Sequence, residues 1–157
     1  MPRLQTSLLV PRPLPEVFAF FADAGNLQQI TPPWVDFRIV TPLPIDMRPG
    51  ALIDYRLKVH GVPVRWRTEI SRWDPPRLFV DTQLKGPYWR WVHTHRFREA
   101  PGGTVVEDDV DYAVPGGALV DRLLVRRDLR AIFLHRQRAI LAAFGVTTNE
   151  PLTVTFV

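Results

Sequence analysis

Residues 89–97 read WRWVHTHRF and alternate between two kinds of side chain. A β-strand turns successive side chains to opposite faces, so every second residue shares a face. One face then carries three large aromatic rings and two imidazoles: Trp89, Trp91, His93, His95 and Phe97. A close-packed sheet core would use Val, Ile and Leu here. Wide rings with polar tips instead favour a sheet that curves around a cavity or a ligand.

Length and composition favour a single domain over residues 1–157. The chain has 157 residues, of which 46% are hydrophobic and 11% aromatic, enough for one ordinary core. No stretch approaches the roughly 20 apolar residues of a membrane span, and the first residues lack the apolar block of a secretory signal. The absence of cysteine excludes disulfides and thiolate ligands. We therefore expect a cytoplasmic protein.

The positive charge of the chain is modest and does not indicate a nucleic-acid partner. The formal net charge is +4 at pH 7, and the densest basic cluster lies near the C-terminus. On a helix its members spread around much of the circumference, which is typical of a solvated face. They are Arg122, Arg126, Arg127, Arg130, Arg136 and Arg138.

The pattern of apolar residues and turn signals predicts an α+β chain. A strand over residues 4–10 is followed by two short helices, at residues 14–24 and 27–30, and a long amphipathic helix covers residues 118–144. Between them, short Pro/Gly-rich turns separate strands and predict an antiparallel meander. These strands cover residues 37–41, 51–59, 64–73, 79–84, 88–98 and 105–113. The only large apolar stripe left to cover the inner face of the sheet is that of the long helix.

This order of elements resembles the helix-grip fold of the START-like superfamily. Six short segments resemble, more closely, the bacterial ligand-binding SRPBCC proteins that are described as polyketide cyclase/dehydrase-like. They are ITPPW (30–34), MRPG (47–50), WRTEI (66–70), GPY (86–88), WVHTH (91–95) and RDL (127–129). The resemblance implies about seven curved antiparallel strands wrapped around the C-terminal helix, with two short helices between strands 1 and 2.

The same resemblance implies a function class. Its members hold ligands between sheet and helix, so we expect a small hydrophobic or aromatic ligand, lipid- or polyketide-like, without a cofactor. The alternative is a polyketide cyclase or dehydratase that acts in the same cavity. We expect no nucleic-acid partner and no membrane span, and we leave a homodimer open.

The strand register predicts a buried polar pair. If Arg98 lies opposite Val105, then His95 lies opposite Asp108, and the alternation on both strands agrees with this register. An inward carboxylate must be paired or protonated, and an adjacent imidazole can orient against it. His95 and Asp108 are therefore candidates for acid–base catalysis or ligand anchoring, or they form a structural pair.

Arg136 falls on the apolar stripe of the long helix. One interpretation is that its guanidinium binds a ligand carboxylate or enolate oxygen in the cavity, which makes Arg136 a third catalytic candidate. The alternatives are a stem that extends to solvent at the sheet edge, or a salt bridge with an inward acid such as Asp108. His93 and His95 also have the spacing of a metal pair, but only Asp108 is available as a third ligand. We therefore expect no bound metal.

Aromatic residues on neighbouring strands are the candidates for ligand contact, unless they are simply core. The loop at residues 30–34 resembles the region at the cavity entrance in this family, which implies that Trp34 is a lid over the entrance; the alternative is a hydrophobic plug packed on the first short helix. The full set of ligand-binding candidates is Tyr55, Trp66, Trp91, His93, Tyr112 and Trp34. The sequence has no nucleophile elbow, phosphate-binding loop, HExxH motif or dinucleotide fingerprint, which disfavours those enzyme classes.

Overall fold

Eight antiparallel strands form one sheet in the computed structural model, which describes residues 2–148 and 150–157. Along the sheet the strand order is β2-β3-β4-β5-β6-β7-β1-β8, so the N-terminal strand pairs with β7. The strands are β1 (Arg3–Val10), β2 (Arg38–Ile39), β3 (Leu52–Val59), β4 (Val62–Asp74), β5 (Leu78–Lys85), β6 (Arg90–Ala100), β7 (Gly103–Ala113) and β8 (Thr155–Phe156).

Two short helices, α1 (Leu14–Ala22) and α2 (Asn26–Gln29), lie between β1 and β2, as the sequence predicts. A single 3₁₀ turn (Pro33–Val35) follows them. α1 begins with a proline in its first turn, where the missing N–H would have no partner in any case. It packs on β6 through aromatic rings, with Phe18 and Phe21 at 5.2 and 5.1 Å from Phe97, measured between ring centroids.

The C-terminal helical region starts with α3 (Gly117–Val120), continues through one π-helical turn (Asp121–Val125) and extends into α4 (Arg126–Ala143). It ends close to Gly145, whose φ of +69° is the left-handed conformation that commonly terminates a helix. One face of α4 is buried against the sheet, and Arg136 lies on that face as its position on the apolar stripe predicts. The buried residues are Leu129, Phe133, Arg136, Gln137, Ile140 and Leu141.

The predicted register of β6 and β7 is confirmed. Arg98 pairs with Val105, and His95 pairs with Asp108, so the odd-numbered residues of β6 face the same side as the even-numbered residues of β7. Trp91, His93, His95 and Phe97 are all buried. The sheet therefore turns its ring-rich face towards α4, in the helix-grip arrangement.

Two details differ from the sequence-based prediction. The sheet has eight strands rather than about seven, because the short strand β8 pairs with β1. Trp89 does not share the buried face, since β6 begins only at Arg90 and the Trp89 side chain is 72% exposed. Its neighbour Tyr88 packs against Trp91 instead, with ring centroids 4.7 Å apart.

None of the helices in the described part of the chain combines the length and the hydropathy that crossing a membrane requires.

Candidate functional site

A cavity of about 510 Å³ lies between the sheet and α4. Apolar side chains from three layers line most of it. Ile53 and Leu57 project from β3, Leu27 from α2, and Leu129 and Phe133 from α4. The wide rings of the sheet do not fill the space that its curvature leaves, so an apolar cavity remains.

Tyr55, Trp66, Trp91 and Tyr88 form an aromatic wall on one side of the cavity. The rings of Tyr55 and Trp66 are stacked, and Trp91 meets Trp66 edge to face at 5.4 Å. Burial raises the pKa of the Tyr55 hydroxyl well above its ordinary value, so this group stays protonated and neutral. The wall offers a large apolar surface to a ligand.

The mouth of the cavity is bounded by two contacts that join loops to α4. Trp34, in the 3₁₀ turn, is 58% exposed and packs edge to face against His135 of α4, with centroids 5.6 Å apart. His60, in the β3–β4 turn, lies 2.6 Å from an Asp128 carboxylate oxygen. Trp34, His60 and Asp128 all line the cavity. Trp34 thus lies at the entrance and contacts the long helix.

Five charged or titratable side chains, Asp81, His93, His95, Asp108 and Arg136, form a buried polar cluster beside the cavity. Asp108 lies at its centre and accepts four hydrogen bonds. Arg136 donates from Nε at 3.2 Å and from Nη2 at 3.3 Å, the His93 ring donates from Nε2 at 2.8 Å, and Thr6 donates its hydroxyl at 3.1 Å. The inward carboxylate is therefore fully paired, as its burial requires.

His95 makes its shortest polar contact with Asp81, on the neighbouring strand β5. Its Nε2 lies 2.5 Å from Asp81 Oδ2, and its Nδ1 accepts from Arg136 Nη2 at 3.4 Å. The His95 ring is stacked between His93 at 3.7 Å and Phe79 at 4.2 Å, measured between centroids. This stack fixes the orientation of both imidazoles.

Burial and the cluster's own charges determine the ionisation of its members. Burial and the nearby His93 lower the pKa of His95 to about 4, so this ring is neutral at pH 7. Burial alone would raise the pKa of Asp108, but the Arg136 charge and the His93 hydrogen bond outweigh it and lower that pKa well below its ordinary value. The pKa of Asp81 is lowered as well, because His93 and His95 outweigh its burial. At pH 7 the Asp81 and Asp108 carboxylates are therefore ionised, and the Arg136 guanidinium lies beside them.

The structure places most of the candidate residues around the cavity. Seven line it: Trp34, Tyr55, Trp66, Trp91, His93, His95 and Arg136. Asp108 and Tyr112 are not among the lining residues in the part of the chain that the structure describes. Tyr112 is fully buried and donates its hydroxyl to Asp121 at 2.7 Å, because β7 passes beneath the π-helical turn at this point.

The predicted His95–Asp108 pair is only partly present. The two residues are cross-strand partners, but His95 Nδ1 is 3.5 Å from Asp108 Oδ1 and no hydrogen bond joins them in the described residues. His95 turns its other nitrogen to Asp81, while Arg136 and His93 occupy the Asp108 carboxylate. The salt bridge between Arg136 and Asp108, one of the alternatives for Arg136, is present, and Arg136 also lines the cavity.

Asp81 is the main residue that the sequence analysis did not identify. A signal was available: Phe79 and Asp81 are two apart on a predicted strand, so both share the buried face of β5. Asp81 pairs with His93 across the β5–β6 ladder. The loop between β5 and β6 is irregular, so the sequence does not give the register of these two strands.

Comparison with known proteins identifies a family for this chain. The family model described as "Polyketide cyclase / dehydrase and lipid transport" matches residues 10–140. No curated protein matches the chain.

Several solved structures share the fold at low sequence identity. Protein Ms6760 from Mycobacterium smegmatis superposes with a TM-score of 0.69 at 18% identity, over 91% of this chain and 90% of that one. Protein CV1439 from Chromobacterium violaceum superposes with a TM-score of 0.71 at 12% identity, over 90% of this chain and 96% of that one. TTHA0849 from Thermus thermophilus superposes with a TM-score of 0.63 at 18% identity, over 90% of this chain and 98% of that one. At such identities the likeness establishes the fold alone.

The family match spans most of the chain, and the sheet wraps a long C-terminal helix as the START-like fold requires. The chain belongs to the polyketide cyclase/dehydrase and lipid transport family of the START-like SRPBCC superfamily.

Proposed function

We propose that this protein binds a small hydrophobic or aromatic ligand, lipid- or polyketide-like, as a single domain over residues 1–157. The observation that carries the proposal is the cavity of about 510 Å³ between sheet and helix. Its volume lies within the roughly 300–1,000 Å³ of typical small-molecule sites. Each methylene group that a ligand buries there contributes about 0.8 kcal/mol.

The distribution of polar groups favours a ligand with one polar end. Ile53, Leu57 and Leu129 offer apolar contacts, whereas Arg136 and Asp81 reach the cavity from the polar cluster. A ligand carbonyl can accept a hydrogen bond from the guanidinium, and a ligand hydroxyl can donate to the carboxylate. The apolar body of the ligand would then lie along the aromatic wall.

Binding can be measured with an environment-sensitive naphthalene dye, which fluoresces when it enters an apolar site. Two variants on β3 form a matched pair. Leu57 lines the cavity, whereas Leu52 lies on the opposite face of the strand and is 45% exposed. We expect Leu57→Trp to fill part of the cavity and weaken dye binding at least tenfold, whereas Leu52→Trp leaves it unchanged.

The outcome that contradicts ligand binding is equally clear. If the wild-type protein shows no saturable dye binding, or if both tryptophan variants bind the dye as the wild type does, the cavity is not the site. Circular dichroism spectra of the two variants establish that each has folded.

A cyclase or dehydratase is the second candidate, favoured by the position of His95 and Arg136 on the wall of the same cavity. In that reaction His95 would transfer a proton, Asp108 would orient Arg136, and the guanidinium would stabilise an enolate oxygen. The assay is conversion of a linear poly-β-ketone thioester to an aromatic product, followed by absorbance. We expect His95→Gln to retain dye binding and to lower turnover roughly 10²- to 10⁴-fold. Absence of product with the wild-type protein removes this candidate.

A further inference from the structure

Three ligand atoms converge at the point where the polar cluster reaches the cavity wall. One nitrogen each from His93 and His95 and one oxygen from Asp81 all lie within 4.8 Å of one another. Asp81 Oδ2 is 2.5 Å from His95 Nε2 and 3.8 Å from His93 Nδ1. Ligand atoms about 2.0–2.1 Å from a tetrahedral zinc ion are roughly 3.3 Å apart, so the two observed distances bracket that spacing.

The hydrogen bond between His93 and Asp108 gives His93 the tautomer that a metal ligand needs. His93 Nε2 donates to Asp108 at 2.8 Å, which leaves the lone pair of Nδ1 facing Asp81. Asp108 is itself held by Thr6 and Arg136. A carboxylate that accepts the outer N–H of a metal-bound histidine is the usual second partner in such sites.

The same carboxylate can support His95. Asp108 Oδ1 lies 3.5 Å from His95 Nδ1. When the ring proton of His95 moves from Nε2 to Nδ1, Nε2 is free to bind a cation and the Nδ1–H faces this oxygen. Arg136 Nη2 then gives up its contact with Nδ1 and keeps its hydrogen bond to Asp108 Oδ1. One carboxylate then orients both imidazoles.

We propose that Asp81, His93 and His95 bind a divalent transition-metal ion, with Zn²⁺ as its representative, and that the remaining coordination position opens into the cavity. Three protein ligands plus an open position are the arrangement of reactive rather than structural zinc sites. Arg136 adds a positive charge nearby, but its guanidinium is paired with Asp108. The negative charges of Asp81 and Asp108 together exceed the single positive charge of Arg136.

The proposal departs from the sequence-based expectation of no metal. That expectation relied on Asp108 as the third ligand. In the structure Asp81 is the carboxylate that faces both histidines, whereas Asp108 contacts the ring nitrogens on their other sides. It goes beyond ligand binding by the cavity and rests on the geometry of the cluster alone, so the two proposals can fail separately.

The test is calorimetric titration of chelator-treated, untagged protein with Zn²⁺ at pH 7, together with the visible absorption of added Co²⁺. We expect saturation at one ion per chain, a Co²⁺ spectrum of low coordination number, and a melting temperature raised by roughly 5–10 °C at 100 times Kd. Absence of binding, or several weak ions per chain, overturns the proposal, whatever the behaviour of any variant.

Variants locate the ion. We expect Asp81→Asn and His93→Ala each to weaken Zn²⁺ binding at least 100-fold. The matched control is His60→Ala, which removes the histidine–aspartate contact at the mouth and leaves the Zn²⁺ affinity unchanged. If His60→Ala abolishes binding, or if Zn²⁺ binds the Asp81→Asn and His93→Ala variants as it binds the wild type, the ion occupies another place and the proposal is wrong. The dye assay on the same samples reports on the cavity independently.

Discussion

Replacement of Arg136 by methionine tests whether the buried polar cluster is held together by its one guanidinium. Methionine keeps the apolar stem but removes two hydrogen bonds to Asp108, at 3.2 and 3.3 Å, and one to His95 Nδ1. Asp108, which is 2% exposed, then keeps only His93 and Thr6 as partners. The variant therefore leaves a buried carboxylate without its balancing charge.

The burial of Asp108 determines how much unfolding free energy the variant loses. Breaking a buried ion pair by removal of one partner destabilises proteins by about 3–5 kcal/mol. For a chain of this size each kcal/mol lowers the melting temperature by roughly 2–4 °C. Arg136→Met should thus melt roughly 6–20 °C below the wild type. Adding Asp108→Asn removes the orphaned charge, so the double variant should recover at least half of the lost stability.

The assay is urea unfolding followed by far-ultraviolet circular dichroism, in buffer that contains a metal chelator. Arg138→Met is the matched control, because Arg138 lies on the same helix and is exposed. Its stability should stay within about 0.5 kcal/mol of the wild type. A loss below about 1 kcal/mol for Arg136→Met, or a double variant no more stable than the single one, would refute this account of the cluster.

Two further predictions concern groups outside the cluster. Tyr112→Phe removes a hydroxyl that donates to buried Asp121 at 2.7 Å, and it should cost about 1–3 kcal/mol in urea unfolding; an unchanged midpoint contradicts that role. Hydrogen bonding and charge from Arg3 lower the pKa of Asp109 below its usual 3.8, so the stability that this carboxylate adds is fully present above pH 3.8 and is lost as the pH falls through the folded-state pKa. The stability difference between wild type and Asp109→Asn should therefore shrink as the pH is lowered from 6 to 2, and a constant difference would contradict the assignment.

The fold followed from patterns that are local in the sequence. Period-two alternation at residues 89–97 and turn signals between the strands determine a meander, and β-sheet register then places His95 opposite Asp108. The exposure of Trp89 was not predicted, because alternation does not show at which residue a strand begins. β8 was not predicted, because two residues carry no periodic signal.

The candidate site was predictable only as far as backbone register determines it. Register brings His95 and Asp108 side by side, but the side-chain rotamers decide which nitrogen meets which oxygen. For His95 the rotamer depends on Asp81 of the neighbouring strand β5, and the irregular loop between β5 and β6 keeps the register of these strands from being read in the sequence. The position of Arg136 on the buried face of α4 followed from helical periodicity alone, whereas its salt bridge with Asp108 was one of the alternatives that the sequence left open.

The central claim, that the cavity between sheet and helix binds an apolar ligand, is tested most directly by calorimetric titration with a homologous series of linear alcohols. Each added methylene should raise the affinity about fourfold, since burial contributes about 0.8 kcal/mol, until the cavity of about 510 Å³ is full and the affinity levels off. Each protein chain should bind one alcohol molecule throughout the series. In Leu57→Trp the affinity should level off at a shorter alcohol than in the wild type. An affinity that does not depend on chain length, or uptake without saturation, would contradict the claim.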